Sequence, residues 1–511
     1  MGTPKFRRAS GVLMNISSLP SQFGIGCFSA DAETFIDMSV DMGFHWWQVL
    51  PITTIGWGNS PYSGISTFAG NSLYICPTEL QKQGLLTQDE IRRFAYSGAP
   101  YRVDYDFARN NVAQYLPLAF SRINDETKAK IAVFREKEAY WLEDYALYMS
   151  LAKTRGYEWR KWENDLKFRK TKAINSAKIA LKGDIDFYVF EQYEFFREWG
   201  ELKHKALMRG VQIIGDLPFY VSTDSADVWS NPKLFQLDEN LQPTAIAGVP
   251  PDAFAKQGQV WGNCLYNFDA MEKDGFKWWR KRISHCLSMY DALRLDHFRA
   301  FYNYFSIPST DINTAENGHW EFAPKDKLIN LFREDNPNAM FIAEDLGLID
   351  DECREFIDSL NIPTMRVFQF GFDGTPSVHL PYRYSENNVA YTGTHDNNTT
   401  LGWLYDLQED TRNFVLKFCS FKGAGWGAGG PQCESTKAII KSVVSSSASL
   451  AILPIQDMLG YGGDTRMNTP GVASGNWEYR LPYEQMMSVD RDFFLDINST
   501  YGRLSGGVKK Q

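Results

Sequence analysis

The sequence predicts a (β/α)8 TIM barrel with large insertions, and three observations lead to this fold class. Short β-rich apolar runs occur eight times, helical patterns lie between several of them, and two gaps between runs are much longer than the others. Strands that alternate with helices form right-handed crossovers and a parallel sheet. Eight such units indicate a closed barrel, because a doubly wound sheet usually has about five or six strands.

The eight runs are rich in β-branched and aromatic residues, and each ends at a polar, glycine or proline turn. The predicted strands are 11–15, 46–50, 211–216, 292–296, 341–344, 365–370, 389–392 and 450–455. Amphipathic patterns over 31–42 and 325–333 predict the helices that precede the second and fifth strands.

The two long gaps follow the second and third strands, which makes them insertions within a single catalytic barrel that spans 1–511. We expect 75–205 to be a mainly helical subdomain, since Trp141, Tyr145 and Tyr148 recur at helical spacing. Residues 217–290 are expected to be a loop-rich insertion that covers the active site. Within it, 230–263 is rich in Pro, Gly and Asn and predicts extended loops with little regular structure. Both insertions follow the C-terminal end of a strand, which is the active-site face of such barrels.

Composition excludes several classes of function. Acidic residues outnumber basic ones by 62 to 53, giving a net charge of −9, whereas nucleic-acid binding needs a basic field. No apolar run approaches the ~18 residues of a membrane span, and the start lacks the apolar region of a signal peptide. We therefore expect a cytoplasmic protein with no nucleic-acid or membrane partner. The seven cysteines are scattered without a C-x-x-C, so neither a disulfide framework nor a zinc ribbon is predicted.

Charged residues stand where four of the predicted strands end. They are Asp216 after the third strand, Arg294 and Asp296 at the fourth, Glu344 and Asp345 at the fifth, and His395 and Asp396 at the seventh. Carboxylates that converge on one barrel mouth suit glycoside chemistry, in which one attacks the anomeric carbon and another protonates the leaving oxygen. Such a set could also hold Mg²⁺, but Arg294 and His297 flank Asp296 and would compete with a divalent ion.

Aromatic residues in the loops of the predicted mouth indicate a carbohydrate ligand. The segment 56–64 (GWGNSPYSG) places Trp57 and Tyr62 after the second strand, and 258–263 (GQVWGN) places Trp261 in the long loop. The apolar faces of sugars lie against aromatic rings, while their hydroxyl groups pair with amides and carboxylates. Aromatic stacking also serves single-stranded nucleic acid, but that requires a positive groove.

The sequence resembles the 4-alpha-glucanotransferases called amylomaltases or disproportionating enzymes, glycoside hydrolase family 77. The resemblance is colinear over about 10–480. It rests on SGVLMNISSLPSQFGIG (10–26), WQVLPI (47–52), SPYSG with FAGNSLY (60–74), GDLPFYV (215–221), GVPPDAF (248–254), GQVWGN (258–263), LRLDHFR (293–299), IAEDLG (342–347), YTGTHDNNTTLGW (391–403) and RMNTPGVASGNW (466–477). Two positions depart from the family pattern: Asn398 stands where Asp is usual, and Cys264 where Pro is common.

The resemblance implies a barrel that needs no metal or other cofactor, and it implies roles for individual residues. Asp296 would be the nucleophile, Glu344 the general acid/base, and Asp396 the residue that stabilises the transition state. The substrate-binding residues implied are Trp57, Ser60, Tyr62, Asp216, Asp252, Gln259, Trp261, Arg294, His297, His395 and Asn468.

The activity implied is transfer of a segment of an α-1,4-glucan, such as a maltooligosaccharide or amylose, to the 4-hydroxyl of an acceptor glucan or glucose. The reaction would retain anomeric configuration through a covalent glycosyl-enzyme, in a monomer or small homo-oligomer. Three alternatives stay open at this point. They are an amylase-type α-1,4-glucan hydrolase, a non-catalytic glycan-binding barrel and a metal-dependent barrel hydrolase.

Overall fold

The computed structural model describes residues 5–251, 256–374 and 377–504, and its centre is a closed barrel of eight parallel strands. The barrel strands are β1 (Ala9–Leu13), β2 (Trp46–Gln48), β3 (Gln212–Leu217), β6 (Ala292–Leu295), β9 (Met340–Ala343), β10 (Thr364–Val367), β11 (Asn388–Tyr391) and β12 (Leu450–Pro454). They follow one another around the barrel in chain order, and β12 closes it by pairing with β1. The predicted fold class is confirmed, and each of the eight predicted runs overlaps a barrel strand.

Close packing between the first two strands explains one residue of the sequence. A Cβ atom at Gly11 would lie 2.5 Å from the carbonyl oxygen of Trp46 on the neighbouring strand. Only glycine fits so close to another backbone, so this position in β1 is fixed by the barrel wall.

Helices surround the barrel and fill the first insertion. Those before β3 are α1 (Ala30–Asp41), α2 (Pro77–Lys82), α3 (Gln88–Arg93), α4 (Tyr105–Phe120), α5 (Asp125–Lys137), α6 (Ala139–Arg155), α7 (Asn164–Lys167), α8 (Thr171–Ala180) and α9 (Lys182–Met208). Those after β3 are α10 (Ala226–Ser230), α11 (Phe268–Lys273), α12 (Lys277–Met289), α13 (Asp326–Asp335), α14 (Asp351–Ser359), α15 (Thr400–Asp406), α16 (Glu409–Phe418), α17 (Glu434–Ser445), α18 (Ile455–Met458), α19 (Tyr483–Met487) and α20 (Arg491–Thr500). Short 3₁₀ helices lie at Ile16–Ser18, Trp57–Asn59, Ser72–Tyr74, Trp159–Lys161, Pro232–Leu234, Phe298–Phe301, Phe368–Gly371, Pro381–Arg383 and Gly463–Thr465.

The two predicted helices are present as α1 and α13, and the segment between β2 and β3 is mainly helical. Trp141, Tyr145 and Tyr148 are buried on α6, which packs against the long helix α9. The division of the chain into subdomains at 75–205 and 217–290 stays a prediction. Among the described residues, no helix is both long and apolar enough to cross a membrane.

A second sheet corrects one expectation about the region after β3. The prediction that 230–263 has little regular structure is wrong, because β4 (Ala245–Val249) and β5 (Gln259–Cys264) lie there. They form an antiparallel sheet with β7 (Asn303–Pro308) and β8 (His319–Phe322), in the order β5-β4-β7-β8. The sheet has a small core of its own, formed by Ile246, Phe305, Ile307 and Ala315. Its strands were missed because β4 pairs with a strand that follows the next barrel strand, and local patterns do not report such distant pairing.

Candidate active site

The parallel strands bring the predicted site residues to one end of the barrel. Asp216 lies in β3 directly opposite Arg294 of β6, and Asp296 follows that strand by one residue. Glu344 directly follows β9, and Asp396 lies in the loop after β11. The charges of Asp216 and Asp396 both act on Asp296, and the charge of Asp296 acts on Glu344. The three carboxylates proposed to be catalytic are therefore close enough for their charges to affect one another.

Arg294 joins the carboxylates on the β3 and β6 strands. Its Nη1 lies 2.7 and 2.8 Å from the two carboxylate oxygens of Asp216 and 2.9 Å from Oδ1 of Asp296. The hydroxyl of Tyr62 donates to Asp216 Oδ2 at 2.6 Å. Burial raises the pKa of Asp296 to about 6, and the charge of Arg294 opposes that rise. Asp296 is thus predominantly ionised at neutral pH, as its position beside Arg294 predicts.

In the described part of the chain, two main-chain amides donate hydrogen bonds to the carboxylate of Glu344. The amide of His297 donates to Oε2 at 2.7 Å, and that of Leu346 donates to Oε1 at 2.8 Å. Burial and the negative charge of Asp296 raise the pKa of Glu344 to about 7, although the two amides and Arg294 act in the opposite direction. A carboxyl group with this pKa can both give and accept a proton near neutrality.

His297 adopts a backbone conformation that is uncommon for a residue other than glycine. Its φ is 49°, in the left-handed region, and this turn directs its amide towards Glu344. Such strain is often found at functional sites. Burial, with a contribution from Arg299, lowers the pKa of the His297 ring to about 4, so the ring is neutral. The ring stands 5.0 Å from that of Trp261, edge to face.

Asp396 has an environment opposite to that of Glu344. His395 Nε2 lies 3.3 Å from Asp396 Oδ2, and Asn468 Nδ2 donates to Oδ1 at 2.6 Å. Burial would raise the pKa of Asp396, but the charge and hydrogen bond of His395 and the hydrogen bond of Asn468 lower it. The ring of His395 stacks on Tyr62 with centroids 5.1 Å apart. Asp396 is therefore a permanently ionised group.

Two residues that sequence reasoning missed hold the Asp396 loop. Arg466 donates from Nη2 to the carbonyl of Asp396 at 2.6 Å and from Nε to that of Asn468 at 2.7 Å. Asp457 is buried in α18 and accepts from the hydroxyl of Thr392 at 2.5 Å, before the loop, and from the amide of Thr400 at 2.6 Å, after it. Arg466 lies in the RMN motif and could have been found there. Nothing in the local sequence singles out Asp457.

The remaining sequence-predicted residues differ in what the structure shows of them. Ser60 accepts from the amide of Tyr62 at 3.2 Å, and Gln259 accepts from Trp261 Nε1 at 3.2 Å. Trp57 begins a 3₁₀ helix, whereas Asp252 lies outside the described residues. Asp345 is buried in ion pairs with Arg354 and Arg366, so it supports the fold behind Glu344.

The two departures from the family pattern lie in different parts of the structure: Asn398 is two residues from Asp396 in the loop after β11, and Cys264 ends β5. Asn398 donates to Asp406 at 2.7 Å and Cys264 is fully buried in β5. Asn398 therefore has a partner within the fold, and Cys264 is part of the packed interior.

Comparisons with known proteins agree with this geometry. A family model described as 4-alpha-glucanotransferase matches residues 14–486. The 4-alpha-glucanotransferase of Aquifex aeolicus (strain VF5) is 41% identical over 498 residues, which cover 97% of this chain and 99% of that protein. That of Thermus thermophilus is 40% identical, covering 93% of this chain and 95% of that protein. Among solved structures, the amylomaltase from Streptococcus agalactiae in complex with acarbose matches with a TM-score of 0.93 and 34% identity, over 97% of this chain and 100% of that one. The chain therefore belongs to the 4-alpha-glucanotransferase family and is a glycosyl-transferring enzyme.

Proposed function

We propose that the chain transfers α-1,4-glucan segments by a retaining double displacement in which Asp296 is the nucleophile and Glu344 the acid/base. The observation that carries this assignment is the pair of pKa values, about 6 for Asp296 and about 7 for Glu344. Arg294, 2.9 Å from Asp296, favours the ionised form of that group, whereas burial and the charge of Asp296 favour the protonated form of Glu344. Two neighbouring carboxyl groups in these opposite states are what glycoside cleavage with retention requires.

In the first step, a carboxylate oxygen of Asp296 forms a bond to the anomeric carbon while the bond to the leaving glucan breaks. Glu344 gives its proton to the departing 4-oxygen. In the second step, Glu344 takes the proton from the 4-hydroxyl of the acceptor, and that oxygen displaces Asp296 from the anomeric carbon. Glu344 returns to its protonated state and Asp296 to its carboxylate, so both steps balance.

Asp396 is proposed to bind the sugar ring whose anomeric carbon reacts. An ionised Asp396 accepts hydrogen bonds from sugar hydroxyls and stabilises the positive charge that develops on the ring in the transition state. Donors and acceptors are proposed to be maltooligosaccharides, amylose and, as an acceptor, glucose. The cytoplasmic location and the monomeric or small oligomeric state stay predictions.

Incubation with maltotriose alone tests this function. Transfer produces glucose together with a ladder of longer maltooligosaccharides, which thin-layer or ion-exchange chromatography resolves. Shortening without lengthening would indicate an amylase-type hydrolase, and binding of maltotriose without turnover would indicate a glycan-binding barrel. Loss of the ladder on treatment with a chelator would favour the metal-dependent alternative.

The variant Asp296→Asn tests the nucleophile, and Asp291→Asn is its matched control. Asp291 lies just before the other end of β6, where it accepts from the amide of Ile213 at 2.8 Å. We expect Asp296→Asn to abolish the ladder and Asp291→Asn to retain it. A ladder of wild-type intensity from Asp296→Asn would contradict the assignment.

A further inference from the structure

Arg299 is a buried cation that stands two residues after His297 and has no part in the two steps of transfer described above. Its side chain is 8% exposed. Nε donates to Oδ1 of Asn303 at 2.9 Å, Nη2 donates to Oδ2 of Asp350 at 2.5 Å, and Nη1 donates to the carbonyl of Leu348. A buried guanidinium costs free energy unless its donors have acceptors, and here each nitrogen has one. The three acceptors lie in two separate segments of the chain, so Arg299 joins these segments.

One of the two segments is the second half of the loop that begins at Glu344. The amide of Leu346 donates to Glu344 Oε1 at 2.8 Å, and the two acceptors in this loop follow Leu346 within four residues. At its centre the loop has little packing of its own, because Gly347 adopts a left-handed φ of 84° and Leu348 is 57% exposed. The hydrogen bonds from Arg299 therefore hold the part of the loop that places the Leu346 amide against the carboxylate.

The other segment belongs to the small antiparallel sheet, which holds the Arg299 side chain from two strands. Asn303 is the first residue of β7 and pairs with Phe322 of β8. The indole of Trp320, also in β8, lies over the guanidinium, and its ring centroid is 3.8 Å from Cζ of Arg299. A guanidinium that stacks on an indole face and donates from its edge keeps one orientation. The sheet thus fixes the direction in which Arg299 points.

The same sheet reaches Glu344 by a second route. Trp261 of β5 packs edge to face against the ring of His297, and the amide of His297 donates to Glu344 Oε2 at 2.7 Å. The amide of Phe298 donates to the carbonyl oxygen of Glu344 at 3.1 Å. The turn that carries Arg299 therefore contacts Glu344 at its carboxylate, at its carbonyl and, through Arg299, at the loop that follows it.

We propose that Arg299, oriented by Trp320, is a positioning residue that keeps the Glu344 carboxyl group within reach of the oxygens of the leaving glucan and the acceptor. The proposal rests on the acid/base role proposed above. In the part of the chain that the structure describes, the hydrogen bonds of Arg299 go to the loop and the sheet and to none of the three carboxylates proposed to be catalytic. Arg299 thus acts through the loop, and a displacement of about 1 Å in a catalytic group can lower a rate by about 10²-fold.

A reaction that needs no proton transfer separates this role from a general structural one. With α-maltotriosyl fluoride as donor, Asp296 displaces fluoride, which leaves as the anion without a proton from Glu344. With azide as acceptor, the azide anion displaces Asp296 without a general base, and α-maltotriosyl azide is released. Transfer from maltotriose needs Glu344 in both steps. The ratio of the two rates at saturating substrate therefore measures proton transfer by Glu344.

The variant Arg299→Lys keeps the charge but loses the forked donors and the planar face against Trp320. We expect it to lower the maltotriose rate by about 10- to 100-fold and the fluoride–azide rate by less than about 3-fold. Trp320→Leu should lower the maltotriose rate by about 3- to 10-fold with the same selectivity, and it keeps the test usable if Arg299→Lys folds poorly. Glu344→Gln is the reference, because it removes proton transfer directly and should show the same selectivity.

Arg169→Lys is the matched control. Cζ of Arg169 lies 4.2 Å from the ring centroid of Trp229, and its Nη2 pairs with Asp144 at 2.6 Å, so the same stacking and pairing occur between α7 and α8. It should leave both rates unchanged. The inference is overturned if Arg299→Lys lowers both rates equally, if it lowers neither, or if Arg169→Lys shows the same selective loss. Loss of both rates in Glu344→Gln would instead overturn the acid/base assignment, and a wild-type chain without transfer from maltotriose would overturn the proposed function.

Discussion

The two sides of the barrel mouth shift the pKa of a carboxyl group in opposite directions. On the β6 and β9 side, burial raises the pKa of Glu344 to about 7 in spite of two main-chain donors. On the β11 side, His395 and Asn468 lower the pKa of Asp396, although its partial burial acts in the opposite direction. The difference lies in the partners: the imidazole of His395 and the amide of Asn468 contact Asp396, whereas amides of the backbone hold Glu344.

This contrast shows that the environment, and not the residue type, sets the protonation behaviour of each carboxyl group. A group that must carry a proton lies where its charge is poorly solvated. The carboxyl group with the lowered pKa has an imidazole and a side-chain amide beside it. Each prediction below removes or tests one element of this difference.

The largest effect is expected from Glu344→Gln, which keeps the shape of the side chain but removes its proton transfer. We expect kcat for transfer from maltotriose to fall by about 10²- to 10⁴-fold. Glu198→Gln is the matched control, because Glu198 is also buried and also accepts from a main-chain amide, that of Cys76 at 2.8 Å, in the helical insertion. Comparable losses in both variants would mean that the effect is on folding.

Asp396→Asn should reduce kcat by about 10²- to 10³-fold, because it removes a charge that stabilises the transition state. It should also change His395. Burial lowers the pKa of the His395 ring, and the charge and hydrogen bond of Asp396 raise it above its ordinary value. Without that charge the pKa of His395 should fall, which NMR titration of the imidazole measures. An unchanged His395 pKa would contradict the coupling between the two residues.

The pH profile of kcat/KM should be bell-shaped with limbs near pH 6 and pH 7. Below the pKa of Asp296, about 6, the nucleophile is protonated and the rate falls; above that of Glu344, about 7, the acid is ionised and the rate falls again. Each limb should approach about tenfold per pH unit. A profile that is flat from pH 5 to pH 8 would contradict both assignments.

The smallest effect is expected from Asp457→Asn, which replaces one of the two carboxylate oxygens that join the ends of the Asp396 loop with an NH₂ group. We expect kcat to fall by about 3- to 10-fold with little change in KM, since the transition state depends on the position of Asp396 more than substrate binding does. The Asp291→Asn control should lose comparable thermal stability without this loss of kcat. Equal effects on kcat in both variants would assign Asp457 a purely structural role.

Much of this architecture was predictable because its signals are local. Each barrel strand is a short apolar run that ends in a turn. Asp296 and Glu344 follow such runs directly, and Asp396 lies in the loop after one. Since parallel strands all end at one face, order along the chain was enough to predict that these carboxylates would meet. The colinear motifs then assigned roles to them.

The small antiparallel sheet was not predictable in this way. The pairing of β4 with β7 joins segments separated by a complete barrel strand, and no periodicity within 245–249 reports it. The same reason hid Asp457, which acts on Thr392 and Thr400 from a different strand-helix unit.

Local patterns and colinear motifs along the chain were sufficient to predict the barrel and the family. The protonation states depend on the folded structure, because burial and distance to neighbouring charges have no signature along the chain. The folded structure likewise decided that Arg294 joins Asp216 to Asp296 and that Arg299 joins the loop after Glu344 to the small antiparallel sheet. These are contacts between segments distant in sequence, and folding alone brings them together.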